Sequence, residues 1–494
     1  MYWNVALPIL IGGLTAYAAV RWIYFKVLKV AFEKRLVDNP EARKLQKRPV
    51  PVVGGLAVFF GVLAGLLAAA AFHYSCDPER VSVNLLPIVC GMSVMLYTGA
   101  LDDILGLSPR ARFWIEIASI LGLVFSTGMC IDTFHGLWGV GELSWWVAVP
   151  LTVFAGVGII NAINMIDGVN GLSSGLCMMC CMLFGLAFLK AEDTGNAVLA
   201  FTMAAALIPF FVHNVFGLKS RMFIGDAGTM VMGLLMAWFV MCVLSKNSSV
   251  AYYSEAVGVN LIAMSLAILS VPIADTLRVM TMRVLKGRSP FQPDKTHLHH
   301  VFVNVGVSHF ITAMSELLIG LTITAAWGIS VLLHAPVEMQ LYVVIGAAVV
   351  FVWGTYGVLR YNAKHHTEFL HWLTHFSVST HLGRKEWWKE LTRWLDEPGD
   401  YSALVELSAT PEAIESHLKS IDVTNYKEQD RKLILEFLKG KAEVHVSDLM
   451  AYSGAEKLRV YPILFEEEQA GYVKVLKRCG LGAPDIVALS SELY

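Results

Sequence analysis

Four polar clusters interrupt an otherwise apolar chain, and their residue types suit the handling of phosphate around a cation. Asn161, Asn164, Asp167 and Asn170 recur every three residues in Asn161-Ala-Ile-Asn-Met-Ile-Asp-Gly-Val-Asn-Gly171, so a helical path would carry them along one side. Asp102 and Asp103 are adjacent. Two carboxylates that close repel unless a cation or a proton lies between them, which suits a metal-phosphate site or general-base work. Asp226 stands in Phe223-Ile-Gly-Asp-Ala-Gly-Thr229, where glycines let backbone approach a phosphate and a following helix N-terminus favours anions. His297, His299 and His300 end a segment that begins at Arg288 and carries Asp294 and Lys295. Magnesium takes oxygen ligands and is usually held by one or two carboxylates together with substrate phosphates; Asp226 and the Asn164 amide oxygen are candidate ligands. A zinc site on the histidines has weak support, because two are adjacent and no cysteine is near. Contacts from these histidines and Lys295 to a diphosphate fit the surroundings better.

The elements that must position these groups are membrane spans. Of 494 residues, 56% are hydrophobic and 16% charged, against about a quarter charged in ordinary soluble chains. Apolar runs fall at 5–25, 51–72, 83–101, 112–130, 145–160, 172–189, 197–215, 227–244, 258–279, 310–333 and 339–359, about eleven candidate transmembrane helices. The first run lacks a basic flank before it and a cleavage pattern after it, so it is expected to be retained as a span. Basic residues crowd every second connection, most densely from Lys26 to Arg48 and again from Arg278 to Lys295. This bias places the N-terminus outside and the dense connections in the cytoplasm. On that topology all four polar clusters lie on the cytoplasmic side. A lone Asp is more often a helix cap or a solvated loop charge, but four clusters on one face make that a poor account of the set. Polar groups at a membrane border are costly unless something binds there.

The eight cysteines lie mostly inside apolar runs and read as buried thiols, with no disulfide framework. A net charge of −2 argues against nucleic acid as a partner. Three regions follow: 1–360, a multi-span membrane domain; 361–396, a Trp-, His- and Lys-rich amphipathic linker at the interface; and 397–494, a soluble module. Within that module Tyr426 to Leu438, Val446 to Tyr452 and Glu456 to Gln469 pattern as helices, and two alternating stretches around Gly480 to Pro484 pattern as a hairpin. The expected fold class is therefore an all-α polytopic membrane protein followed by a small cytoplasmic α+β winged-helix-like domain. Glu456, Glu466, Glu467 and Glu468 outweigh Lys457 and Arg459 on its third helix, which favours a protein partner or regulation over DNA. Because every polar cluster precedes Tyr361, a chain ending there is expected to keep the chemistry.

The motifs Leu101-Asp-Asp103, Asn161 to Gly171, Phe223 to Thr229 and His297-Leu-His-His300, in this order, resemble the polyprenyl-phosphate N-acetylhexosamine-1-phosphate transferases over roughly residues 1–360. The resemblance implies transfer of N-acetylhexosamine-1-phosphate from a UDP-N-acetylhexosamine to undecaprenyl phosphate, with release of UMP. It also implies a need for Mg²⁺ (or Mn²⁺), a place in the bacterial inner (cytoplasmic) membrane, and a start to lipid-linked glycan assembly for the cell envelope. Carried over by motif, Asp226 is the main metal ligand with Asn164 beside it. Asp102 activates or orients the lipid phosphate, and Asp103 supports it. Asp167 holds the nucleotide, with Asn161 and Asn170 among the substrate contacts. His297, His299 and His300 touch diphosphate or sugar, and Lys47 is a basic substrate contact. Many bacterial members have a second Asp where this chain has Asn170, which cannot act as a base. The His-x-His-His form points to a GlcNAc-type donor rather than the phospho-MurNAc-pentapeptide type. Direct attack and an aspartyl-phosphate intermediate both remain open, as do a homodimer and the partner of the C-terminal module. A membrane transporter or sensor is the rival class; its polar residues would be expected near mid-membrane rather than at one border.

Overall fold

The computed structural model describes residues 3–33, 36–38, 50–76, 85–290, 296–365, 367–379, 386–396, 426–439, 441, 443–453, 455, 457–478 and 484–489. Lys47, Asp294 and Lys295 lie outside them. The membrane part begins with α1 (Trp3–Glu33), a two-residue ladder of β1 (Val37–Asp38) with β2 (Val50–Pro51), and α2 (Gly54–Cys76). It continues through α3 (Leu85–Leu105), α4 (Pro109–Thr127), α5 (Trp145–Met165), α6 (Leu172–Lys190), α7 (Thr194–Phe216) and α8 (Gly225–Leu244). Then come α9 (Ser249–Val257), α10 (Leu261–Ile268), α11 (Ser270–Leu285), α12 (Leu298–Asn304), α13 (His309–Leu332), α14 (Val337–Ala348) and α15 (Gly354–His365).

Among the described residues nine helices are long and apolar enough to cross a membrane, and the chain is a multi-pass membrane protein. Large apolar side chains such as Trp146 and Phe154 stand exposed on the outer surface, as lipid-facing positions require. Two of the eleven expected runs differ from simple spans. Helix α4 carries Arg110, Arg112 and Glu116 in its first half, which lowers its hydropathy. The ninth run is broken into α10 and α11 with an 80° bend. Pro272 in the first turn of α11 has no N–H to return to the end of α10, which weakens the helix at this junction.

Helix α8 is the axis of the bundle: every residue from Ala227 to Leu244 is buried, packed by α2, α3, α5 and α6. Apolar attraction is weak between helices in lipid, so such contact depends on small residues that let backbones meet. A Cβ at Gly99 of α3 would stand 2.4 Å from the Ala227 Cα, and one at Gly55 of α2 would stand 2.5 Å from the Gly228 Cα. These approaches lock three helices together at one end, where the C-termini of α3, α5 and α7 meet the N-termini of α2, α6 and α8.

Beyond the bundle lie α16 (Glu368–Ser379) and α17 (Glu386–Asp396), so the expected single interfacial helix is two. The module that follows contains α18 (Tyr426–Leu438), β3 (Val444–His445), α19 (Val446–Ser453), α20 (Lys457–Ala470), β4 (Val473–Arg478) and β5 (Pro484–Leu489). The expected helices and hairpin are present, with β5 central and antiparallel to both β3 and β4. Ile434, Leu438, Leu449, Val460, Leu464 and Val487 belong to a hydrophobic cluster of its own. Arg431, buried in this module, pairs with Glu428, Glu466 and Glu467.

Candidate active site

The site is built from helix ends. Asp102 and Asp103 occupy the last turn of α3, Asn164 the last turn of α5, and Asp226 the first turn of α8. Adjacent on a helix, Asp102 and Asp103 point about 100° apart and find different partners. Asp103 accepts from the Asp226 N–H at 2.9 Å and the Ala227 N–H at 3.1 Å. Both Asp103 oxygens cap the α8 N-terminus, where a carboxylate meets unpaired N–H groups and a favourable dipole. Asp102 instead accepts from the Leu107 N–H at 2.8 Å and from Arg112 Nη1 at 3.1 Å. The same Arg112 nitrogen lies 3.8 Å from Asp226 Oδ2.

Asn164 Nδ2 donates to Asp226 Oδ1 at 2.5 Å and to Thr229 Oγ1 at 2.7 Å. Asn161 faces a different neighbour. Its Nδ2 donates to Glu116 Oε2 at 2.6 Å and to the Val157 carbonyl at 2.9 Å, and Glu116 in turn accepts from Arg112 Nε at 3.1 Å. A three-residue step falls about 60° short of a full turn, so Asn161 and Asn164 diverge. The helix also ends at Met165, which takes Asp167 and Asn170 onto a turn. There Ser173 Oγ donates to Asp167 Oδ1 at 2.5 Å, and the Gly171 N–H donates to Asn214 Oδ1 at 2.7 Å. Asn170 is half-buried in the same turn.

The histidines border this turn. His299 is fully buried, its ring packed on Gly168 so closely that a Cβ there would lie 2.3 Å from Nε2. Neither of its ring nitrogens has a hydrogen-bond partner among the described residues. Burial, helped by the neighbouring His300 and His297, holds the imidazole well below its ordinary value and therefore neutral. His297 Nδ1 lies 2.8 Å from Asp275 Oδ2, and Asp275 is held by Arg278 Nη2 at 2.7 Å. His300 stacks obliquely on His299 at 4.3 Å between ring centroids.

Residue patterns alone missed Arg112, Glu116, Asp275 and Arg278. The available signal was that each is an ionisable group inside an apolar run, where such groups demand a partner. No group of three or more His, Cys, Asp or Glu side chains among the described residues is arranged to enclose a metal ion unaided. The donor set does fit Mg²⁺. Asp226, with the Asn164 amide beside it, offers one carboxylate and one amide, and such an ion completes its shell with water and substrate phosphate.

A family model described as glycosyl transferase family 4 matches residues 85–244. A probable undecaprenyl-phosphate N-acetylglucosaminyl 1-phosphate transferase of Bacillus subtilis (strain 168) is 31% identical over 320 residues, covering 64% of this chain and 83% of the relative. The undecaprenyl-phosphate alpha-N-acetylglucosaminyl 1-phosphate transferase of Salmonella typhi is 29% identical over 315 residues, covering 61% and 80%. Its Escherichia coli (strain K12) counterpart is 30% identical over 289 residues, covering 57% and 73%. The chain belongs to glycosyl transferase family 4, the polyprenyl-phosphate N-acetylhexosamine-1-phosphate transferases that its motifs resemble.

Proposed function

We propose that this protein transfers GlcNAc-1-phosphate from UDP-GlcNAc to undecaprenyl phosphate and releases UMP, starting a lipid-linked glycan. The observation that carries the reading is the meeting of Asp102, Asn164 and Asp226 at one end of the bundle, supported by relatives that carry this activity in their names. An oxygen of the lipid phosphate becomes bonded to the phosphorus that bears the sugar. The bond from that phosphorus to the bridging oxygen breaks, and UMP leaves with the electron pair. The acceptor phosphate is already anionic, so the protein's task is charge neutralisation and in-line placement more than proton removal.

Asp226 and Asn164 hold Mg²⁺ (or Mn²⁺), which supplies neutralisation of the diphosphate when bound. Asp102 and Arg112 orient the acceptor phosphate. Asp167 and Asn170 hold the nucleotide, the three histidines bear on diphosphate and sugar, and Lys47 adds a basic contact. The site faces the cytoplasm of the inner membrane, since basic connections surround it. Counting α4 and the bent α10–α11 pair with the nine apolar helices gives eleven spans and a cytoplasmic C-terminal module of winged-helix type, suited to a protein partner.

The test is UMP release from UDP-GlcNAc with Mg²⁺ and a short polyprenyl phosphate. Asp226→Ala is expected to lower kcat by about a hundredfold or more. No Mg²⁺-dependent UMP release by the wild type from any UDP-N-acetylhexosamine would overturn the reading.

A further inference from the structure

The segment that delivers Asp226 runs from the end of α7 to the start of α8, and it is held along its whole length. Tyr24 Oη donates to the Ser220 carbonyl at 2.8 Å. Asn214 Nδ2 donates to the Met222 carbonyl at 2.7 Å. The Phe223 N–H donates to the Pro51 carbonyl, while the Phe223 and Ile224 carbonyls accept from Gly54 and Gly55. Asp103 then caps Asp226 and Ala227. All these partners lie in the membrane part, α1 to α8.

One partner does not. Asp396, the last residue of α17, turns its carboxylate onto Leu218, Lys219 and Ser220. It accepts from the Leu218 N–H at 3.3 Å, the Lys219 N–H at 3.1 Å, the Ser220 N–H at 3.0 Å and Ser220 Oγ at 2.8 Å. Three successive backbone N–H groups closing on one anion form a strong and directional seat. The rest of α17 docks alongside: Thr392 Oγ1 donates to the Phe216 carbonyl at 3.1 Å, and the Arg21 guanidinium lies 4.6 Å over the Trp394 ring. Ser220 also meets His213 Nδ1 at 3.1 Å, so the anchored residue is fixed to α7 behind it.

We infer that Asp396 is a positioning residue for the transfer reaction: by seating Leu218–Ser220 it fixes the start of the strap that presents Asp226. This rests on the function proposed above. It assigns a part in the chemistry to a residue well past the last chemical motif. The segment has no secondary structure between Gly217 and Ile224, so its course depends on these side-chain anchors. A displacement at its start is carried toward Asp226, where errors of an ångström are felt strongly in rate.

The experiment uses the full-length protein with Asp396→Asn and Asp396→Ala, beside wild type. Asn keeps the size but turns an NH₂ toward backbone donors, and α17 can still dock through Thr392 and Trp394. The expected result is a kcat lower by about tenfold or more, with KM for UDP-GlcNAc within about twofold. Backbone hydrogen exchange should quicken across 218–227 while 230–244 stays protected. The inference is overturned if both variants keep wild-type kcat, if kcat falls without faster exchange at 221–227, or if exchange rises through 230–244 as well, which marks lost folding rather than lost placement. A wild type that releases no UMP is the failure of the functional reading, and the exchange data then still report whether Asp396 orders the strap.

Discussion

At Asp103 the carboxylate is the physical link between α3 and the first turn of α8. Asp103→Asn replaces one acceptor by a donor facing an N–H, and the α8 N-terminus loses its countercharge. A loss of about 0.5–2 kcal/mol in stability is expected, with kcat down about a hundredfold through displacement of Asp226; UMP release and thermal midpoints check both. Side-chain type announced that Asp102 and Asp103 matter, but not that Asp102 meets Arg112 while Asp103 meets α8, since that depends on which helix each faces. His299 offers a test by pH. Its folded value lies below the unfolded value of about 6.5, so the unfolded chain binds the extra proton. Its contribution to stability is complete above about pH 6.5 and falls on acidification by up to about 1.4 kcal/mol per pH unit. Thermal midpoints between pH 7.5 and 5.5 should therefore fall more steeply for wild type than for His299→Gln; equal slopes would contradict a buried neutral imidazole.

The helices themselves were largely legible, because lipid imposes length and apolarity on each span. The break between α10 and α11 was not, because a run of apolar residues looks the same whether straight or bent by 80°. That bend is what brings Asp275 and Arg278 of α11 beneath α12. Asp275 accepts from the Leu298 N–H at 3.2 Å as well as pairing with His297, while the Arg278 guanidinium lies 3.7 Å over the Tyr356 ring. Both charged side chains are only 2% exposed. Breaking a buried pair leaves an uncompensated charge, so Asp275→Asn should lose about 3–5 kcal/mol, whereas removing both charges together should lose less. Thermal unfolding of Asp275→Asn and of Asp275→Asn with Arg278→Met decides this. If the double variant is the weaker, the pair is stabilising in itself rather than merely costly to break.

At the scale of the molecule, the position of every chemical motif before Tyr361 suggests that the chain beyond is dispensable. The contacts divide that remainder in two. The C-terminal module has its own core, with Ile434, Leu449, Leu464 and Val487 buried together. It approaches the bundle where Pro462 of α20 packs on Gly306, in the turn after the histidine helix. Helices α16 and α17 are different in kind. Ser377 Oγ accepts from the Ser308 N–H at 2.8 Å, and Asp396 holds the α7–α8 strap. Such polar bonds to loop N–H groups cannot be replaced by lipid. A chain ending after residue 396 should therefore keep kcat within about threefold of full length, while one ending at residue 361 should lose about tenfold or more even when correctly inserted. Parallel assays of UMP release, with hydrogen exchange at 218–227 as the control for the strap, separate the two. Equal activity in the two truncations would mean that the bundle holds its catalytic loops alone and that α17 merely rests against it.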